Sequence, residues 1–187
     1  VQLSAYIIIY SKIGTSDPIT FATNPVIMVL PTQATNTSAP SVSGVTRTGQ
    51  TLTASDGTWD GAPTPEFTYQ WYACTTEVTS ATQTIPDTCT TTIGTTDSLD
   101  LTSTHAGKYI AVKVTGTSTG TDPASWLSAS TTSQVKMQAS ATVKPTITGR
   151  ATVGRTLTAN EGQWAGFPTP TYRYKWYSCT SKATRPD

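Results

Sequence analysis

The sequence predicts an all-β fold built from small antiparallel β-sandwich modules in tandem. The first reason is an internal repeat: the stretch Gly49–Cys74 returns as Gly154–Cys179 at a constant offset of about 105 residues, the size of one small domain. The second reason is composition, since Ser and Thr make up about a third of the chain and threonine suits a half-exposed strand. The third is that Thr alternates with apolar residues at period two, and no helical period is present.

The repeat predicts one complete module and two partial ones. Residues 1–30 resemble the end of the complete module, so we expect them to be the C-terminal part of a preceding module. The complete module spans 40–137, and 145–187 is expected to be the N-terminal part of a following module. The segments 31–39 and 138–144 are predicted to be linkers. If the chain is a window on a longer array, or one unit of a repeating assembly, the two partial modules are pieces of one domain type.

Short strands at the spacing of a sandwich follow one another in the complete module. They are predicted at Pro40–Gly44, Gln50–Ser55, Phe67–Cys74, Ser98–Leu101, Lys108–Thr115 and about Ala129–Met137. The Gly- and Pro-rich stretch 57–65 is predicted to be a long connection. Six or seven strands in about 100 residues imply an antiparallel two-sheet sandwich.

Alternation within the strands predicts which side chains point into the core. Trp71 points inward and Tyr72 outward, and the second copy of the repeat places Arg173 and Lys175 at outward positions, which predicts that the outer face is wet. The predicted core residues of the repeat are Leu52, Trp71, Ile110 and Val112.

The cysteines are the strongest local chemistry in the sequence. Cys74 and Cys89 have no His or further Cys at metal-ligand spacing, which favours a disulfide over a zinc site. Closing a loop of about 15 residues would stabilise the module by about 3 kcal/mol in the chain-entropy model and would indicate an oxidising compartment. The alternative is a pair of buried free thiols in a cytosolic protein. We expect Cys179 to pair with a cysteine beyond the chain end, at the position that matches Cys89.

Charge and motifs argue against catalysis, cofactors and nucleic acid. Twelve basic and eleven acidic residues give a net charge of +1, which provides no electrostatic footprint for nucleic acid or an anionic membrane. The longest apolar run is too short to span a membrane. The single histidine, His105, is predicted to be a solvated turn residue rather than a general base. Paired acids, calcium loops, phosphate loops and nucleophile elbows are absent from the sequence, so we expect no catalytic, cofactor or metal site.

Two tryptophans in predicted connections leave two interpretations open. Trp59 and Trp126 could stack on a sugar, because aromatic side chains on loops often do so. Alternatively, Trp59 closes the open end of the sandwich, and its return at Trp164 fits either hypothesis.

The ordered set of motifs resembles the bacterial immunoglobulin-like tandem repeats of secreted and cell-surface proteins. Their pattern is G-x-T-L-T-A, G-x-W, P-x-P, Y-x-W-Y-x-C, a second Cys and a final G-K-x-I-x-V-x-V strand. This chain has the pattern at Gly49–Ala54, Gly57–Trp59, Pro63–Pro65, Tyr69–Cys74, Cys89 and Gly107–Val114. The resemblance implies an immunoglobulin-like sandwich in an extracellular repeat protein. The chain lacks the disulfide that joins the two sheets of antibody-type domains.

Together these features predict a non-enzymatic structural segment of a bacterial extracellular or cell-surface protein, such as a stalk, an adhesin shaft or a filament subunit. The expected partners are neighbouring copies of the same repeat, with a polysaccharide or a host or cell surface as a further possibility. Self-association could use Thr-rich edge strands and the apolar stretch Tyr6–Tyr10. The alternatives are a carbohydrate-binding accessory module of a secreted enzyme and a phage or virion decoration domain.

Overall fold

A computed structural model describes residues 3–4, 27–28, 30–89 and 91–181. In these ranges the chain is all β, with fifteen strands and a single turn of 3-10 helix at Ser103–His105. The strands are β1 Leu3–Ser4, β2 Ile27–Met28, β3 Thr32–Ser38, β4 Ser41–Gly44, β5 Thr51–Ser55, β6 Thr58–Ala62, β7 Glu66–Cys74, β8 Thr91–Gly94, β9 Ser98–Asp100, β10 Tyr109–Thr117, β11 Ala124–Leu127, β12 Met137–Val143, β13 Thr146–Thr148, β14 Thr158–Asn160 and β15 Gln163–Phe167.

Two antiparallel sheets in the segment 40–137 share one apolar core. One sheet has the strand order β4-β5-β9 and the other β11-β10-β7-β8. Side chains from the two sheets and from the adjoining connections form a buried cluster of Leu52, Trp71, Ala73, Leu99, Leu101, Ile110, Val112, Val114 and Val135. The four residues that the sequence assigned to the repeat core are all members of this cluster, and each is 0% exposed.

The centre of the four-stranded sheet is the long ladder between β7 and β10. Its register places Trp71 opposite Val112 and Ala73 opposite Ile110, so these side chains share the inner face. The indole N–H of Trp71 donates a 2.7 Å hydrogen bond to the carbonyl oxygen of Thr96. The largest side chain of the core is therefore buried with its polar atom satisfied.

The segments 31–39 and 138–144 were predicted to be linkers, and this prediction is wrong. β3 fills most of the first and pairs antiparallel with β6; β12 fills most of the second and pairs with β15. Threonine and valine favour strands, and the two partner strands lie in Gly- and Pro-rich stretches that sequence reasoning had assigned to a connection. Ala34, in the middle of β3, is buried.

The prediction of a strand at about Ala129–Met137 is also wrong. The regular strand, β11, ends at Leu127, and the chain continues beside β10 in an irregular conformation. Here side chains take over the role of the ladder, because the hydroxyls of Ser128 and Thr131 accept the N–H groups of Val112 and Ile110 at 3.0 and 3.1 Å. Serine and threonine side chains compete with backbone groups in this way.

The strand registers recur about 105 residues later. In the β4–β5 pair Val42 lies opposite Ala54, and in the β13–β14 pair Ile147 lies opposite Ala159. The ribbon of β3 and β6 matches that of β12 and β15 in the same way, down to the positions of its two register shifts. Both ribbons are followed by a cis X–Pro bond, at Ala62–Pro63 and Phe167–Pro168.

Little of residues 1–30 belongs to the described part of the chain. Leu3–Ser4 pairs antiparallel with Ile27–Met28. The apolar stretch Tyr6–Tyr10, which was predicted to take part in self-association, lies outside the described residues.

Candidate functional site

The predicted disulfide is present and closes a loop against the outer face of the four-stranded sheet. Cys74, the last residue of β7, is bonded to Cys89 across a sequence separation of 15 residues, and both are fully buried. Side chains from the loop meet side chains from β7, β10 and β11 in a second apolar cluster. This outer cluster consists of Tyr72, Cys74, Val78, Cys89, Ala111 and Leu127, with Ile85 and Tyr109 packed at its margin.

The outer cluster corrects the prediction that Tyr72 faces water. Alternation correctly placed Tyr72 on the face opposite Trp71, but its side chain is only 5% exposed. The reason is that the closed loop brings Val78 and Ile85 over it. Sequence reasoning missed the loop residues because an irregular loop has no apolar period to detect.

The same loop also covers part of a sheet edge. Thr82 and Leu127 exchange two backbone hydrogen bonds, of 3.0 and 2.7 Å, on the side of β11 that faces away from β10. Further along, Val78 accepts the N–H of Ser130 at 2.9 Å and donates its own N–H to the Ser130 hydroxyl at 2.9 Å. An unpaired strand edge can pair with a strand of another molecule. Because the loop covers this part of the β11 edge, it blocks such pairing there.

The recurring Trp residue is held by an acidic turn. Trp59 donates its indole N–H to the carbonyl oxygen of Asp56 at 2.8 Å, and Tyr69 donates its hydroxyl to the Asp56 carboxylate at 2.7 Å. Burial and, after it, the hydrogen bond to Asp56 raise the pKa of Tyr69 to about 12. Gly57, between Asp56 and Trp59, has a φ of +76°, and a Cβ there would overlap the carbonyl oxygen of Ser38.

The tryptophans considered for sugar stacking do not form an exposed platform. Trp59 is half-buried against Gly116 and Phe67, with ring centroids 5.8 Å from Phe67 at an angle of 52°. Trp126 is half-buried on β11 and its indole nitrogen is buried. Tyr72 lies in the outer cluster. This arrangement matches the interpretation in which Trp59 closes an end of the core.

The segment 145–181 exposes side chains whose counterparts in 40–137 are buried or half-buried. Trp176, the counterpart of Trp71, is 54% exposed, and Tyr174, the counterpart of Tyr69, is 58% exposed. With Trp164 and Ile147, Tyr174 lines an open cleft of about 920 Å³. The equivalent residues in 40–137, Val42, Trp59 and Tyr69, are partly buried and pack against the apolar core cluster.

His105 is not the solvated residue that the sequence predicted. It is 7% exposed, and its Nδ1 accepts the backbone N–H of Thr102 at 3.1 Å, which caps the short 3-10 turn. Burial lowers the pKa of His105. The hydrogen bond to Thr102 gives His105 a structural role in this turn.

Within the described ranges, no group of three or more His, Cys, Asp and Glu residues is placed to hold a metal ion. The same residues include no helix with the length and apolarity needed to cross a bilayer. Cys179 is exposed, and no described cysteine is bonded to it. The chain matches no protein-family model, no curated protein and no solved structure.

Proposed function

We propose that this chain is a non-enzymatic structural segment of a bacterial extracellular or cell-surface protein, built from tandem immunoglobulin-like modules and acting as a stalk, an adhesin shaft or a filament subunit. The single observation that carries the proposal is the recurrence of two strand pairings at a constant offset, with the same partners opposite one another. Repeated units that follow one another along a chain form an extended array.

The arrangement of strands supports the immunoglobulin-like part of the proposal. A three-stranded sheet faces a four-stranded sheet over one core, with a tryptophan of a central strand as the largest buried side chain. The Cys74–Cys89 bond supports the extracellular location, because disulfides persist in oxidising compartments.

The proposed mechanism is mechanical. Strands of the modules carry tension through their hydrogen-bond ladders, of which β7–β10 is the longest. The disulfide limits how far a module can be extended, since the loop it closes cannot be pulled straight. The predicted linkers 31–39 and 138–144 consist mostly of the strands Thr32–Ser38 and Met137–Val143, so consecutive modules are joined with little slack.

Neighbouring copies of the same repeat are the partners that this function requires. The exposed aromatic side chains of 145–181, among them Tyr174 and Trp176, offer an apolar surface for such a partner. Trp59, Trp126 and Tyr72, the residues with which a carbohydrate-binding role would be argued, are half-buried or buried and offer no exposed stacking surface.

Electron microscopy of the native, full-length material tests the proposal. We expect strings or filaments in which modules follow one another at a fixed spacing. Compact particles without a repeating spacing would contradict the structural role. Purified protein that binds immobilised polysaccharides, and loses that binding on Trp59→Ala or Trp126→Ala, would instead favour the accessory-module alternative.

A further inference from the structure

Backbone pairing passes from residue 136 to residue 137 without an intervening residue at the junction between the complete module and the ribbon of β12 and β15. Lys136 is still bound to the complete module: its N–H donates to the Thr46 carbonyl at 3.0 Å and its carbonyl accepts the Thr48 N–H at 2.9 Å. The following residue, Met137, already lies opposite Phe167 in the ribbon of β12 and β15. A connection whose residues are paired on both sides has less backbone freedom than an unpaired, flexible linker.

An aromatic side chain of the ribbon also contacts the complete module. The ring of Phe167 lies against Gly107: a Cβ at position 107 would be 3.0 Å from Cε2 and 3.2 Å from Cδ2 of the ring. Real Cβ atoms rarely approach other atoms so closely, so a side chain at position 107 would push the Phe167 ring away by a few tenths of an ångström.

Gly107 is itself fixed. Its φ of +75° lies in the left-handed region that favours glycine. Its N–H donates to the Val135 carbonyl at 3.0 Å and its carbonyl accepts the side-chain amide of Gln134 at 2.9 Å. The surface on which Phe167 rests is therefore a rigid part of the complete module.

We infer that Phe167 and Gly107 form a locked joint that fixes the angle between two consecutive modules, so that the interaction surface around Gly107 recognises the ribbon end of the next module. The inference rests on the proposed function in that it assigns the stiffness of the array to a specific contact. The two copies of the repeat differ at this position. The counterpart of Phe167 in the complete module is Ala62, at the same register position, so only the second ribbon has an aromatic ring there.

Residual dipolar couplings of backbone amides in the full 187-residue chain test the joint. We expect one alignment tensor to fit the amides of 40–136 together with those of the β12–β15 ribbon. Phe167→Ala, which installs the residue found at position 62, should remove the common fit, so that the ribbon requires its own, weaker tensor. Tyr177→Ala is the matched control, because it removes an exposed aromatic ring of the same segment and should leave the single tensor intact.

Amide exchange in the β12–β15 ladder, measured on the same samples, separates loosening of the joint from unfolding of the ribbon. Separate tensors in the unmodified chain would overturn the locked joint. A common tensor that survives Phe167→Ala, with the ladder still protected, would overturn the role of Phe167. Neither outcome depends on whether micrographs show strings, so the joint and the structural function can fail independently.

Discussion

The hydroxyl of Tyr69 donates a 2.7 Å hydrogen bond to the carboxylate of Asp56, and this contact ties a core strand to the turn that precedes the recurring tryptophan. The second copy of the repeat contains the same contact: Tyr174 donates to the Glu161 carboxylate at 3.0 Å, and Trp164 donates to the Glu161 carbonyl. The acid differs between the copies but its two hydrogen bonds do not. The turn is thus maintained by both the side chain and the backbone of one residue.

Removing the Tyr69 hydroxyl should destabilise the segment 40–137. Tyr69→Phe leaves a half-buried carboxylate without its donor, and we expect the free energy of unfolding to fall by about 1–2 kcal/mol. Denaturant unfolding followed by tryptophan fluorescence measures the change. Tyr174→Phe is the matched control, and its effect should be smaller because that phenol is exposed. Equal effects of the two variants would contradict the assignment.

The same contact gives a prediction at alkaline pH. The folded state raises the pKa of Tyr69 to about 12, whereas an unfolded tyrosine titrates near its ordinary value of about 10. The stability that the protonated phenol contributes is therefore complete below about pH 10 and is lost as the pH rises through about 12. Melting temperatures across this range should fall more steeply for the unmodified chain than for Tyr69→Phe.

The disulfide loop should control both the stability and the edge of the four-stranded sheet. We expect the double variant Cys74→Ser, Cys89→Ser to lose about 3 kcal/mol, the chain-entropy value for a 15-residue loop. Amide exchange at Thr82 and Leu127 should accelerate as well, since the loop then no longer holds their mutual hydrogen bonds.

Cys179→Ser provides the control for that experiment, because Cys179 is exposed and makes no described disulfide. It should change neither the unfolding midpoint nor the exchange rates. If the double variant kept the exchange protection of Leu127, the loop would be docked by its apolar contacts alone and the bond would have no part in covering the edge.

The loop also shows what alternation in a sequence can and cannot predict. The period-two pattern predicted which residues of β7 and β10 lie on each face of the sheet, because successive side chains of a strand point to opposite faces. It therefore predicted that Trp71 and Val112 share a face. It could not reveal that Tyr72, on the other side, is covered, since the covering residues come from an irregular loop. Long ladders are therefore predictable in detail, whereas the second face of a sheet depends on contacts that no local pattern records.

The ribbons were missed for a related physical reason. A linker and an edge strand have the same small, polar composition when one face of the strand is exposed, as it is for β3. What distinguishes them is the partner, and the partner β6 lies in a stretch whose glycines and prolines indicate a turn. The repeat predicted that 31–39 and 138–144 have the same structure. Composition alone could not show that each of them pairs with a second strand.

His105 should make stability depend on pH in the acidic range. Burial lowers its pKa in the folded state, so below the ordinary value of about 6.5 the unfolded chain binds a proton that the folded chain resists. The contribution of the neutral imidazole is then complete above about pH 6.5 and is lost as the pH falls toward the lowered pKa.

The comparison with His105→Asn isolates this effect, because asparagine retains an acceptor for the Thr102 N–H but does not titrate. Melting temperatures measured from neutral pH down to the range where carboxylates protonate should diverge, with the unmodified chain losing more. Parallel curves would mean that the imidazole is protonated as easily in the folded chain as in the unfolded one.

Two glycines with nearly the same backbone conformation provide the sharpest test of the acidic turn. Gly49 and Gly57 have φ values of +81° and +76°, but a Cβ at Gly49 would meet nothing within 4 Å, whereas one at Gly57 would overlap the Ser38 carbonyl oxygen. Gly49→Ala should therefore cost only the left-handed penalty of about 1–2 kcal/mol. Gly57→Ala should cost more and should also separate β3 from β6, because Ser38 lies opposite Thr58 at the end of that ribbon.

Unfolding free energies of the two variants, together with amide exchange in β3, measure the difference. Equal losses with β3 still protected would show that the ribbon can move aside, and the close approach of Gly57 to Ser38 would then have no role in holding it.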